Sequence, residues 1–368
     1  MIKKFLKKIF KKVSYFIFIK IHGKIEKSIH FELDSRIEVK KLNLEKNLNY
    51  KIYKIQKGRL YTDRIHDTAV MIDKKIVEGP SFQLRENNNS SVMNNSVLKN
   101  GTPRMLKNIK GVTVSLLTGG GGNDNYWHWL YDVLPRIKLC EEFNKISEID
   151  YFLLPSIKRK FQKETLNLLN VDKKKLLSSE DFRHIKASEL IVTDHPYILT
   201  NDSHIDAQKI PGWISKWLKE KFLLNSKPLK KDYPKRIYID RGDAKTNFSN
   251  FRSLTNETEV KNFLKKKNFN FIKLDNLNFE DQVHYFNNAD FIIGLHGAGF
   301  ANLSFCREGT KVIEFRMSKT GKVIENLAEK NSLIFDSIEC KPKLEGIARH
   351  VGHIEIPLDI LDQKINNI

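Results

Sequence analysis

Acidic residues are in short supply: 44 Asp and Glu face 64 Lys and Arg, a formal charge of +20 over 368 residues. Cysteine is scarcer still. Cys140, Cys306 and Cys340 are too few and too scattered for a disulfide framework or a CxxC zinc site, so a reducing compartment is expected. No run approaches the roughly 20 apolar residues that span a bilayer, and the longest early one, Val13 to Ile19, stops at Lys20. Lysines interrupt that stretch and no small-residue cleavage site follows, which argues against a secretory signal and for a cytosol-side protein. Also lacking is a DxD motif of the kind that holds a divalent metal on a nucleotide diphosphate. No RRM, KH or zinc-finger pattern accompanies the positive charge, so no nucleic-acid partner is expected. Core material, by contrast, is ample. With 40% apolar and 10% aromatic residues the chain cannot be wholly disordered.

The positive charge is unevenly spread. Residues 1–20 hold seven lysines and no acid, about a third of the net charge. Ile2, Phe5, Leu6, Ile9, Phe10, Val13, Phe16 and Ile17 recur at three- and four-residue steps, and Lys3, Lys4, Lys7, Lys8, Lys11 and Lys12 take the opposite face. A basic helix of this kind suits an anionic membrane surface. The alternative is a terminal helix docked on the protein's own core.

Residues 50–85 read as short strands, Asn87–Ser96 as a polar loop. From about residue 110 strands alternate with helices, with a break at Lys227–Pro234 and a second alternating series from Arg236. Two such series predict two doubly wound domains facing across a cleft, with ligands at the carboxyl ends of the strands.

Two constellations stand out. Gly119–Gly122 leads into a helix on which His128 and Asp132, four apart, share one face; Pro135 should kink or end it. A carboxylate there can act as general base, although the pair can equally hydrogen-bond only each other. The second runs from the apolar strand Phe291–Leu295 through His296, Gly297, Ala298 and Gly299 into a short helix, where backbone N–H groups suit a phosphate. Glu314, at the end of the next strand, can accept ribose hydroxyls. Arg241 follows one strand and Arg252 precedes a helix, and either can neutralise a diphosphate.

Together, Tyr126-Trp-His-Trp-Leu-Tyr-Asp-Val-Leu-Pro-Arg136, Ile239-Asp-Arg241, Arg252 with Asn256-Glu257, Gln282, and His296-Gly-Ala-Gly-Phe-Ala-Asn302 with Phe305, Gly309 and Ile313-Glu314 resemble glycosyltransferase family 61. That group includes plant β-1,2-xylosyltransferases, O-GlcNAc transferases of the secretory pathway and bacterial capsular polysaccharide biosynthesis proteins. Asp240 departs from it, since serine is frequent there, and so does the long glycine run Gly119–Gly122. The resemblance implies an α/β, GT-B-like fold of two Rossmann-like domains. It also implies inverting transfer from a nucleotide sugar, expected to be UDP-linked, to a saccharide or lipid-linked saccharide in capsule, O-antigen or other envelope synthesis.

The resemblance covers roughly residues 110–335, so the membrane-surface helix (1–22) rests on its own pattern; beyond it are expected an acceptor-side domain with a β-rich start (23–226), a donor domain (235–340) and a C-terminal tail (341–368). Asp132 is the expected base, with His128 beside it and next in line. Arg241, Arg252, His296, Gly297, Ala298, Gly299, Asn302 and Glu314 are expected at the donor. No metal and no cofactor are expected, and the enzyme should be cytoplasmic, peripheral on the inner face of the membrane. The competing expectations are a pyruvyl or phosphoryl transferase of envelope polymers, and a non-catalytic membrane-bound scaffold.

Overall fold

The computed structural model describes residues 2–84, 91–99, 104–117, 124–200, 202–224, 232–242, 252–345 and 352–368. The glycine run 119–122 and residues 227–231 of the expected linker lie outside the described residues. The protein is a mixed α/β structure that divides into two compact units, Met1–Asp206 and Ala207–Ile368.

The first unit opens with the helix Ile2–His22. Its sheet, eleven-stranded among the described residues, is mixed rather than doubly wound. Four strands run parallel in the order His184–Thr193, Lys107–Ser115, Tyr151–Leu154, Leu176–Ser178. On its other side His184–Thr193 pairs antiparallel with Leu48–Gln56 and Arg59–Thr62. The reason lies in the connections: between residues 37 and 78 the strands follow one another through tight turns, too short for the crossover a parallel pair needs. Ile37–Glu45 joins Leu48–Gln56 in this way, with Asn47 at a φ of 67° in the turn. Asp67–Ile72 is buried along its whole length.

In the second unit five parallel strands lie in the order Asn270–Ile272, Arg236–Ile239, Phe291–Leu295, Lys311–Met317, Ile334–Cys340. Phe291–Leu295 is a continuous apolar run, as a strand covered on both faces should be. The first strand in sequence lies second in the sheet, so chain connections leave Arg236–Ile239 and Phe291–Leu295 in opposite directions. A crevice at the carboxyl ends of two such strands is where open parallel sheets bind ligands. Those ends lead directly to Arg241 and His296. The segment read as a tail is packed instead: Leu361 and Ile365 of the helix Leu358–Asn367 join Leu264, Ile313 and Phe315 in the core.

Candidate active site

The first group of side chains grows from an interrupted helix. Asn125 caps it, its side-chain oxygen accepting the Trp127 N–H at 2.8 Å. One α turn, Tyr126–His128, widens into a π turn, Trp129–Val133, ahead of the α-helix Pro135–Cys140. Proline has no N–H to return to the carbonyl four residues back, and the widened turn before it takes up the mismatch. Pro135 therefore changes the helical pitch without ending the helix.

His128 and Asp132 meet as their spacing requires, ring Nδ1 lying 2.8 Å from Oδ2. Asp132 has 0% side-chain exposure, whereas His128 has 31%. The Tyr197 hydroxyl donates to Asp132 Oδ1 at 2.6 Å, and Trp127 hydrogen-bonds Tyr197 in turn. Arg136 donates its Nε to the Asp132 carbonyl and Nη1 to Thr193. His195 Nε2 stands 3.9 Å from Oδ2. Both carboxylate oxygens are thus engaged and out of reach of solvent.

Burial pushes the Asp132 carboxyl up, while His128, Tyr197 and Arg136 favour its charged form. For His128 burial acts downward, but the charge and hydrogen bond of Asp132 outweigh it and leave the ring more basic than free histidine. The two tendencies compete for one proton. Tyr197 and Arg136 also support the carboxylate, which favours the proton on His128 Nδ1 within the hydrogen bond and leaves Nε2 outside it.

The second group lies in the second unit. The chain turns from Phe291–Leu295 through His296 and Gly297 into a 3-10 helix, Ala298–Phe305. The His296 carbonyl accepts from Arg241 Nη1 at 2.6 Å and from Arg252 Nη1 at 3.0 Å. Asp240 braces the Arg241 turn, its Oδ1 accepting the Gly242 N–H at 2.9 Å and Lys261 Nζ at 3.1 Å. Gly297 is required for this approach, since a Cβ there would overlap the Arg241 guanidinium. Arg252 Nε is buried without a hydrogen-bond partner among the described residues. Burial and the adjacent Arg241 charge lower the Arg252 pKa to about 9. Two half-buried guanidiniums on one carbonyl oxygen repel each other, and an anion beside them would relieve that repulsion and the desolvation of Arg252.

Glu314 is fully enclosed, hydrogen-bonded to His296 Nδ1 and 3.6 Å from Arg316 Nη1. Burial raises its pKa to about 8. Burial, then Arg252, Arg241 and Arg316, bring His296 down to about 3, so that ring is neutral. Where an open carboxylate for ribose hydroxyls was expected, Glu314 is enclosed and bonded to the His296 ring. Asn302 is likewise internal, donating to Gln282 Oε1 at 3.1 Å and the Gly299 carbonyl at 3.3 Å, which pins the turn. Ala298 and Gly299 remain half-buried at its outer side.

Tyr197 and His195 were not among the expected site residues. The one signal for them is position, just past the carboxyl end of the strand His184–Thr193. Among the described residues no group of three His, Cys, Asp or Glu side chains is arranged to hold a metal ion.

Residues 126–313, just over half of the chain, match the family model described as Glycosyltransferase 61. No curated protein matches the chain. The matched span takes in His128, Asp132, Tyr197, Arg241, Arg252 and His296; Asn125 precedes it, and Glu314 and Arg316 follow it. With more than half of its length inside that match, the chain belongs to glycosyltransferase family 61 and is a glycosyltransferase.

Proposed function

We propose that the protein is an inverting enzyme with a GT-B-like division of labour: the second unit binds a nucleotide-sugar donor and the first activates a saccharide acceptor of envelope polysaccharide synthesis. The observation that carries this reading is the Arg241–Arg252 pair on the His296 carbonyl, at the carboxyl edge of a parallel sheet. Its desolvated charge suits the diphosphate of such a donor.

The acceptor half rests on His128 and Asp132. Since Asp132 is enclosed, the base moves from that expected residue to His128 Nε2, which takes the acceptor hydroxyl's proton. Asp132 steadies the imidazolium that results. The acceptor oxygen bonds to the anomeric carbon from the face opposite the leaving group. The bond from that carbon to the diphosphate breaks, its electron pair staying on the diphosphate. Arg241, Arg252 and the N–H groups of the turn stabilise that charge where it develops.

The test is a thermal-shift screen of nucleoside diphosphates and their sugars, beginning with UDP. A ligand at 100 times its Kd should add about 2.7 kcal/mol. EDTA should leave turnover unchanged, because the two guanidiniums take the part a cation would play at the leaving group. Activity lost in EDTA and restored by Mg²⁺ or Mn²⁺ would refute that part. Slow release of nucleoside diphosphate without acceptor separates this reading from a pyruvyl or phosphoryl transferase, and full complementation by Asp132→Asn would favour a scaffold.

Gly297→Ala probes the same site with little structural cost, because the added methyl meets the far end of a flexible side chain. We expect donor KM to rise at least about tenfold, the equivalent of one lost neutral hydrogen bond, with the melting midpoint moved by only about 2 °C. Steady-state kinetics and a thermal melt measure both. A collapsed midpoint would make the glycine structural.

A further inference from the structure

The helix Ile2–His22 meets its own unit by one face near one end. Phe18 packs on the rings of His184 at 5.4 Å and Tyr61 at 6.4 Å. Arg59 lies 5.7 Å over the Phe18 ring, and His22 meets His184 edge-on at 5.6 Å. At 3.6 residues per turn, Phe18 and His22 share the face of Lys4, Lys7 and Lys11. The other face is bare: Phe5, Phe10 and Phe16 are 64%, 62% and 63% exposed. A terminal helix that served its own core would bury this stripe. Instead the helix docks by its lysine side and turns the stripe away.

More positive charge gathers where it docks. The Arg104 carbonyl is bonded to His184, the Arg183 guanidinium feels both Arg104 and Arg64, and Met105 beside Arg104 is 77% exposed.

We propose that this helix lies in the surface of an anionic bilayer, its phenylalanine stripe among the acyl chains, with Lys3 and Lys12 at the stripe's margins and Arg104 at its foot meeting acidic headgroups. Charge complementarity selects the occupant. An apolar groove on a protein would match the stripe alone, whereas seven lysines without an acid among the first twenty residues match a negatively charged plane. No helix among the described residues is long and apolar enough to cross a membrane. The proposal goes beyond the catalytic reading and does not depend on it.

Full-length protein floated with vesicles is the test. Binding is expected to mixed phosphatidylcholine–phosphatidylglycerol vesicles, to weaken with salt, and to be slight with phosphatidylcholine alone. Lys3→Gln with Lys12→Gln should weaken it about 30-fold, a factor of about five for each lysine at an anionic surface. Phe10→Glu with Phe16→Glu should abolish it while the thermal midpoint of the full chain stays unchanged, which excludes misfolding as the cause. Flotation that survives the Phe→Glu pair, or fails with every vesicle, overturns the proposal. So does a dimer that the Phe→Glu pair dissolves, or lysine-dependent binding of duplex DNA without vesicle binding.

Discussion

His128→Ala should lower kcat about 10²–10⁴-fold and leave the Kd for the nucleoside diphosphate unchanged. In the proposed mechanism the ring acts only as the acceptor's proton leaves, and the groups assigned to the diphosphate belong to the other unit. The pH profile gives the assignment a second handle. A general base works unprotonated, and Asp132 raises the His128 pKa above its ordinary 6.5. Activity should therefore fall as pH drops through that raised value. Asp132→Asn keeps the shape but removes the charge, so the acid limb should move to lower pH while the plateau falls. Donor binding lost in Asp132→Asn, with kcat unchanged, would refute the dyad.

Arg252→Ala should lower kcat/KM for the donor about 10²–10³-fold, the usual cost of one electrostatic donor at a leaving group. Calorimetry with the nucleoside diphosphate should show a matching loss of affinity. Its effect on stability should run the other way. Arg252 is a half-buried cation crowded by Arg241, and removing it relieves desolvation and repulsion, so the apo protein should melt no lower than the parent. Arg252→Lys should not restore the donor kinetics, since an ammonium cannot hold the His296 carbonyl and a phosphate oxygen with one planar fork. A variant that keeps donor affinity but loses stability would make Arg252 a packing residue.

Legibility in the sequence follows distance along the chain. Phe291–Leu295 is an apolar run between turn signals, and it is a strand where expected. The step from His128 to Asp132 is one helical turn, and the contact follows from it. Ile37–Glu45 escapes notice because paired lysines break its alternation on a half-covered strand. Leu361 and Ile365 carry helical spacing, yet so short a segment reads as a tail until a core exists to receive it. Tyr197 reaches Asp132 across 65 residues through the sheet, a contact that no local pattern encodes. Glu314 misleads for a related reason. A carboxylate at a strand end reads as exposed, and only the neighbouring strands and Arg316 reveal that it is enclosed.

The strand His184–Thr193 sits between the parallel and antiparallel halves of its sheet but comes last among its partners, after Leu48–Gln56, Arg59–Thr62 and Lys107–Ser115. On the ribosome those earlier strands must wait with open edges until it emerges. Closing so long a loop is slow, and open edges are where nascent chains pair with one another. The vulnerable species in biosynthesis is therefore a half-made first unit, already displaying an oily basic helix and lacking its central strand. Slower initiation or lower temperature should favour soluble yield by keeping such chains apart. The second unit, whose five parallel strands all follow residue 235, is not yet made when that risk is greatest.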